Sequence, residues 1–338
     1  MRKNIVFLAF IVVLSSKVYA NDYYFYYLSG GSIVPAENNN TTVEMVEESI
    51  YIELFDCYYR ISVDFIFLNN GVTEELLVGF PYLSESSRHG RGNSTIYNFQ
   101  TWVNDILVEH ENLPINQSFD GEMEMNVNYA YTKKVLFPSN TITKTKVEYY
   151  SGYGINGSFY TALYFYGSGK GWYNDIGKMS IIIKNNTDRW IYGINMPEIY
   201  EFGTDRPRID LQDKIQWDND ILKITLDNID PEENDILEVQ INRPMFNIGM
   251  NFRSLPYSFQ YRNKMLSNGD IIFLNKSQLR ILRNLFYAFY GYNFRDSYLR
   301  EYFSREDWYI INMNFTENML TEIERENIRI IIEEEDRR

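Results

Sequence analysis

The sequence predicts a mainly β protein, an antiparallel β-sandwich followed by a small all-α C-terminal module. Three observations lead there. Apolar and polar residues alternate at period two in at least seven stretches separated by turn residues, the pattern of half-buried strands. Aromatics make up 17% of the 338 residues, with 29 Tyr and 22 Phe, too many for a disordered chain and suited to pleated surfaces. From Ser277 onward the apolar period changes from two to that of a helix.

The N-terminus reads as a targeting segment. Arg2 and Lys3 precede the apolar run Ile5 to Leu14, and Val18-Tyr19-Ala20 forms a small-residue cleavage site. A run of about ten residues is half the length a membrane-spanning helix needs. Residues 1–20 are therefore expected to be a signal peptide cleaved near Ala20, giving an exported, periplasmic or extracellular chain with no transmembrane segment. Without Arg2, Lys3 and Lys17, the 32 Lys and Arg fall to 29 against 46 carboxylates. A net charge of −17 repels phosphate backbones, which argues against nucleic acid as a partner.

Residues 21–243 form the expected sandwich domain. Ile50, Ile52 and Leu54 alternate with Tyr51 and Glu53; Tyr59, Ile61, Val63, Phe65 and Phe67 alternate with Arg60, Ser62 and Asp64. Asn69-Asn70-Gly71 predicts a left-handed turn before Leu76 to Phe80. Trp102 to Val108 predicts a tight hairpin with Asn104-Asp105 at its corner. Met179, Ile181 and Ile183, then Leu222, Ile224 and Leu226, then Leu237, Val239 and Ile241 repeat the alternation. Cys57, the only cysteine, excludes an internal disulfide, and its apolar neighbours predict a small buried side chain.

The order of these pieces resembles a family of uncharacterised exported bacterial proteins, a domain of unknown function, over about residues 28–243. The resemblance rests on Gly30-Gly31-Ser-Ile-Val34, Val63-Asp-Phe-Ile-Phe67, Gly79-Phe-Pro81, Phe137-Pro138, Gly171-Trp172 and Asn228 with Pro231. It implies a fold and an exported location, and no chemistry.

Residues 244–271 are expected to link the sandwich to a helical module at 272–338. Ser277 is the expected cap of a helix carrying Leu279, Leu282, Leu285, Phe286 and Phe289 on one stripe, with Gly291 as its left-handed stop. A second helix fits Ser297 to Phe303. Thr316 is the expected cap of a third, with Leu320, Ile323, Asn327, Ile328 and Ile331 on one face. Tyr287-Ala-Phe-Tyr-Gly291, together with Leu279, Arg280, Arg283, Tyr302-Phe303 and Trp308-Tyr309, resembles the YARHG domain, a small extracellular module, over about residues 266–332. Phe289 and Tyr290 stand where that signature has arginine and histidine.

Candidate ligand-binding residues in this module are Arg283, Tyr290, Tyr292 and Trp308, since exposed rings beside a cation suit a cell-wall polymer. Core packing of the same rings is the competing reading, because a module this small needs large side chains to bury enough area. Lys276, Arg280 and Arg283 fall on adjacent turns, either facing an anionic polymer or paired with carboxylates.

Chemical motifs are few. His110-Glu111 begins like a zinc-protease motif, but Pro114 stands where its second histidine belongs. His89 lies in the polar loop 82–95. Gly167-Ser-Gly-Lys-Gly171 lacks the spacing and hydroxyl of a phosphate loop. Asp227 to Asp235 lacks the regular spacing of a helix-loop-helix calcium site and reads as an acidic turn. The residues thus imply no catalytic set, no metal and no cofactor. They point to a non-enzymatic binding or scaffold protein of the bacterial envelope, with an envelope protein or cell-wall polymer as partner. A hydrolase using two carboxylates in the β domain and a glycan-binding C-terminal module are the alternatives.

Overall fold

The computed structural model describes residues 34–35, 41–82, 96–119, 125–156, 159–196, 214–232, 235–242, 260–306 and 308–338. The expected signal segment, His89 and most of the expected linker lie outside the described residues. Among them, no helix is long and apolar enough to cross a membrane.

The strands in chain order are β1 (Val34–Pro35), β2 (Val43–Leu54), β3 (Tyr58–Asn69), β4 (Glu74–Tyr82), β5 (Ile96–Val103), β6 (Ile106–Val108), β7 (Glu111–Phe119) and β8 (Met125–Phe137). They continue with β9 (Ile142–Gly152), β10 (Gly154–Asn156), β11 (Phe159–Phe165), β12 (Ile176–Asn185), β13 (Trp190–Asn195), β14 (Ile215–Asp218), β15 (Ile221–Ile229) and β16 (Ile236–Asn242). The helices are α1 (Asn268–Ile271), α2 (Lys276–Ala288), α3 (Ser297–Ser304) and α4 (Glu322–Arg337). The fold is mainly β with a small helical C-terminal region, as expected.

One eight-stranded sheet runs β14-β15-β12-β2-β3-β9-β5-β6, and two four-stranded sheets run β1-β4-β8-β7 and β10-β11-β16-β13. Among the described strands, every strand pair is antiparallel but β2 with β12. The inner face of the large sheet packs on both smaller ones. Phe80 of β4 meets Tyr149 of β9 at 5.4 Å, and Phe137 of β8 meets Phe67 of β3 edge-on at 5.6 Å. On the other side the Tyr59 hydroxyl accepts from the Leu163 N–H at 3.2 Å. The Tyr164 hydroxyl donates to the Glu48 carboxylate at 2.5 Å. The alternating residues read from the sequence are the core: Ile50, Tyr59, Ile61, Val63, Phe65, Phe67, Ile181, Ile224 and Val239 have no exposed surface. Burying each such side chain stabilises the fold by about 1.5–3 kcal/mol.

Turn chemistry follows the sequence in one place and departs from it in another. Asn104 and Asp105 have φ of 46° and 65°, the left-handed pair that a two-residue hairpin between β5 and β6 requires. The Asn69-Asn70-Gly71 corner is not left-handed, since none of its residues is among those with positive φ. Glycine is needed there for a close approach instead: a Cβ on Gly71 would lie 2.1 Å from the Thr42 hydroxyl. Asn69, fully buried, holds the corner through both ends of its amide. It donates to the Val72 and Phe137 carbonyls at 2.6 and 2.8 Å and accepts from Thr42 and from the Gly71 N–H.

Cys57 is exposed in the turn joining β2 to β3, not buried. Its apolar neighbours belong to strands that end before and begin after it, so the inward alternation does not reach it. Gly167 to Gly171 forms a 3-10 turn between β11 and β12.

In the helical region, two caps differ from expectation. Asn275 caps α2, accepting from the Gln278 N–H while the Gln278 side chain accepts from its own N–H. Ser277 lies inside the helix because the reciprocal Asn275–Gln278 pair satisfies the free N–H groups two residues earlier. Thr316 precedes only a 3-10 turn; α4 is capped by Thr321, boxed with Glu324. Gly291, at φ +74°, makes the expected left-handed stop. Residues Tyr261, Leu266 and Ile271, from the segment expected to be linker, pack in the helical core with Leu282, Phe286 and Phe303.

Candidate functional site

The helical module does not hang free of the sandwich. Trp190 of β13 belongs to the helical core, while Ile272 and Phe273 belong to the sandwich core. Asn275 reaches Asp220 at 2.8 Å in the turn between β14 and β15. Between the edge strand β14 and the last turn of α4 lies a cavity of about 370 Å³, within the range of small-molecule sites.

Its floor is apolar, made by Ile215 and Ile272, and Trp217 forms one wall. The Arg338 guanidinium lies over the Trp217 ring, 5.1 Å from its centre. It donates to the Ile272 carbonyl at 2.9 Å and pairs with Glu334 at 2.6 Å. Only 8% of that side chain is exposed, and its Nε has no partner among the described residues. Burial pushes the guanidinium below its ordinary value, with Glu334 acting in the opposite direction. Arg337, also paired with Glu334 at 3.1 Å, lines the rim together with Gln216 and Asn268. The side chains lining the cavity bring two guanidinium groups to one carboxylate, and a guanidinium offers planar, paired donors suited to a carboxylate or other oxyanion. No local sequence signal marks this site, because Trp217 and Arg338 are brought together from a strand of the sandwich and the far end of the helical module.

The structure distributes the four residues expected to bind ligand. The Tyr290 hydroxyl accepts from Arg262 at 2.9 Å and donates to Glu324 at 2.7 Å. Arg262 also pairs with Glu324 at 2.7 Å and lies over both the Phe289 and Tyr290 rings, 5.1 and 5.0 Å from their centres. Tyr292 packs among Tyr287, Phe294 and Phe315. Trp308 packs on Phe289 and Phe303, its indole N–H directed to Glu306 at 3.2 Å. Arg283 lies 3.1 Å from Glu335. The three rings are half-buried against the helical core. Arg280 pairs with Asp296 at 2.8 Å, so the basic stripe on α2 is matched by carboxylates.

The Glu324 side chain is fully enclosed. Burial alone would raise its pKa. The Arg262 guanidinium, the Thr321 N–H and the Tyr290 hydroxyl outweigh burial and hold it below the ordinary range. Asn327 on the next turn bonds backbone at three points: it donates to the Tyr261 and Lys264 carbonyls and accepts from the Leu266 N–H. Asp64 on β3 and Glu335 on α4 are both raised mainly by burial. They stand on separate elements and do not make a pair. In the acidic turn, Asp235 accepts from the Glu232 N–H and Glu232 pairs with Lys170, so these carboxylates point to different partners.

Among curated proteins, none matches this chain at a significant level. Among solved structures, a Legionella pneumophila protein described as a candidate nutrient binding protein aligns at 19% identity, covering 90% of this chain and 98% of that one, with a TM-score of 0.52. An M1 zinc metallopeptidase from Deinococcus radiodurans aligns at 7% identity over 59% of this chain and 42% of that one, with a TM-score of 0.29. Yeast LTA4 hydrolase aligns at 6% identity, covering 59% and 28%, with a TM-score of 0.32. The last two similarities are too weak to bear on activity, and the first shows a shared fold. Residues 256–336 match the YARHG domain, which thus begins before the helices, at the segment carrying Tyr261, Arg262 and Leu266.

Proposed function

We propose that this chain is an exported, non-enzymatic binding protein of the bacterial envelope. Its ligand is a small carboxylate-bearing nutrient held in the cavity between β14 and α4. The observation that carries the reading is a cavity of about 370 Å³ at the junction of sandwich and helical module, walled by Trp217 and a buried arginine. The likeness in fold to a candidate nutrient binding protein supports the binding role. The YARHG match and the N-terminal Arg2 to Ala20 pattern support export, as does the family of unknown function that residues 28–243 resemble. In this reading residues 1–20 are removed, residues 21–243 form the sandwich domain and the segment 244–271 leads into the module at 272–338.

The Arg338 side chain gives the oxyanion a preplaced, desolvated donor, and Trp217 gives the rest of the molecule a flat apolar face. Calorimetric titration of the mature chain with a panel of small organic acids and amino acids tests this. One class should bind, and Trp217→Ala and Arg338→Gln should each weaken it by about tenfold or more. Binding that survives both substitutions unchanged, or no binding by any member of the panel, removes the reading.

A further inference from the structure

Lys133 is out of place in a hydrophobic interior. It projects from the same face of β8 as Val135 and Phe137, into the space between the β1-β4-β8-β7 sheet and the large sheet, and only 6% of it is exposed. Burial is the one cause of its lowered pKa, and no charge partner offsets it among the described residues.

The hydrogen bonds around it fit an uncharged amine. Nζ donates to the Thr101 hydroxyl oxygen and, at 3.2 Å, to the Trp102 carbonyl. Thr101 is an acceptor in this pair because its own proton is committed to the Lys146 carbonyl at 2.9 Å. Two acceptors use the two N–H groups of a neutral amine and leave its lone pair free. An ammonium would carry a third N–H with no described acceptor, which burial penalises. Burial brings Lys133 down to about 7, so the unprotonated form is well populated at neutral pH.

The amine lies beside a ring-lined edge of the sandwich. Tyr131, two residues along the same face of β8, stacks on Phe99 at 4.3 Å and on Tyr82 at 4.6 Å. The exposed His110 ring stands edge-on to Phe99 and Tyr131, at 5.0 Å from each, and Lys133 in its protonated form lowers the His110 pKa, second to burial. Glu109 and Glu111 flank His110 and are exposed, so an anionic reactant is repelled where a neutral one is not.

We propose that Lys133 is a carbonyl-reactive amine whose substrate is a small neutral aldehyde reaching it past His110. The Nζ lone pair adds to the carbonyl carbon to give a carbinolamine. Loss of the former carbonyl oxygen with the two amine protons, as one water, leaves the C=N bond of an imine. The step needs no further reactant, and it is independent of the cavity between β14 and α4.

Lys134 is the internal control, the next residue on the same strand, exposed and facing outward. The mature chain is treated briefly with propanal and cyanoborohydride at pH 7, which reduces any imine to a propyl amine, and labelled lysines are located by peptide fragmentation mass spectrometry. Lys133 should be labelled at least ~10-fold faster than Lys134, because a desolvated amine is the better nucleophile at that pH. Lys133→Met should abolish the fast label and leave Lys134 unchanged. Labelling of Lys133 no faster than Lys134 in the wild-type chain overturns the proposal, whether or not the variant folds. Glyoxylate in place of propanal should label Lys133 more slowly; faster labelling by the anion overturns the neutral-substrate assignment.

Discussion

At the scale of single residues, two positions give sharp tests. Gly291 holds φ +74°, and a Cβ there would lie 2.3 Å from the Ile310 carbonyl oxygen. Gly291→Ala meets a left-handed backbone penalty of about 1–2 kcal/mol and a backbone clash as well. It should cost more than ~2 kcal/mol of stability, measured by urea denaturation; a loss below that would mean the Ile310–Asn312 strap moves aside freely. Lys133 tests the sign of a linkage. Its pKa is near 7 folded and 10.5 as the ordinary value, so between those limits the unfolded chain binds more protons and stability rises with pH. Lys133→Met should therefore raise the melting temperature, most at pH 6 and less by pH 9.5. An equal gain at both pH values would mean that the amine is not desolvated. Gly291 was legible from the sequence because chirality is a local property of the chain. Lys133 was not, because Lys133 and Lys134 are adjacent and only the pairing of β8 with β4 decides which one faces inward.

At the scale of elements, the same division holds. Period-two alternation located the buried faces of β2, β3, β12, β15 and β16, since a strand's two faces are fixed by the pleat. Caps were misplaced by a few residues because Asn275 and Ser277 on α2, or Thr316 and Thr321 before α4, are chemically equivalent candidates. Which one is used depends on where the reciprocal partner falls, Gln278 in one case and Glu324 in the other. The α4 cap also holds the Arg262–Glu324–Tyr290 network, and it was hidden because Arg262 comes from a segment with no helical signal. It makes α4 sensitive to acid. With its folded pKa held down, Glu324 contributes stability that is present above its unfolded pKa and is lost as pH falls through the folded one. The stability difference between wild type and Glu324→Gln should shrink below about pH 4.5, and a constant difference down to pH 3 would show that the carboxylate is not the stabilised form. Arg262→Met leaves the enclosed carboxylate without its cation and should cost on the order of 3–5 kcal/mol at pH 7.

At the scale of the whole molecule, sandwich and helical module exchange core residues, and this is what positions the cavity. Trp190 leaves the sheet to pack among the helices, while Ile272 and Phe273 pack with the strands. Trp217, Ile272 and Arg338 then close one wall across the joint, with the Trp217 indole 3.4 Å from the Ile272 carbonyl. A site built this way persists only while the two parts unfold together. Trp190 tests the coupling, because it is a strand residue whose loss is felt mainly by helices. Trp190→Ala removes a ring that is 3% exposed and should cost about 3–5 kcal/mol, drawn from the helical core. The wild-type chain should melt in one transition seen alike in the helical far-ultraviolet signal and in the near-ultraviolet aromatic signal. In the variant the helical signal should melt first and the aromatic signal later. A single coincident transition, merely shifted down, would mean that the two cores are one cooperative unit even without this ring. Two transitions already present in the wild type would mean that the exchanged residues do not couple them, and that the wall of the cavity opens whenever the helices do.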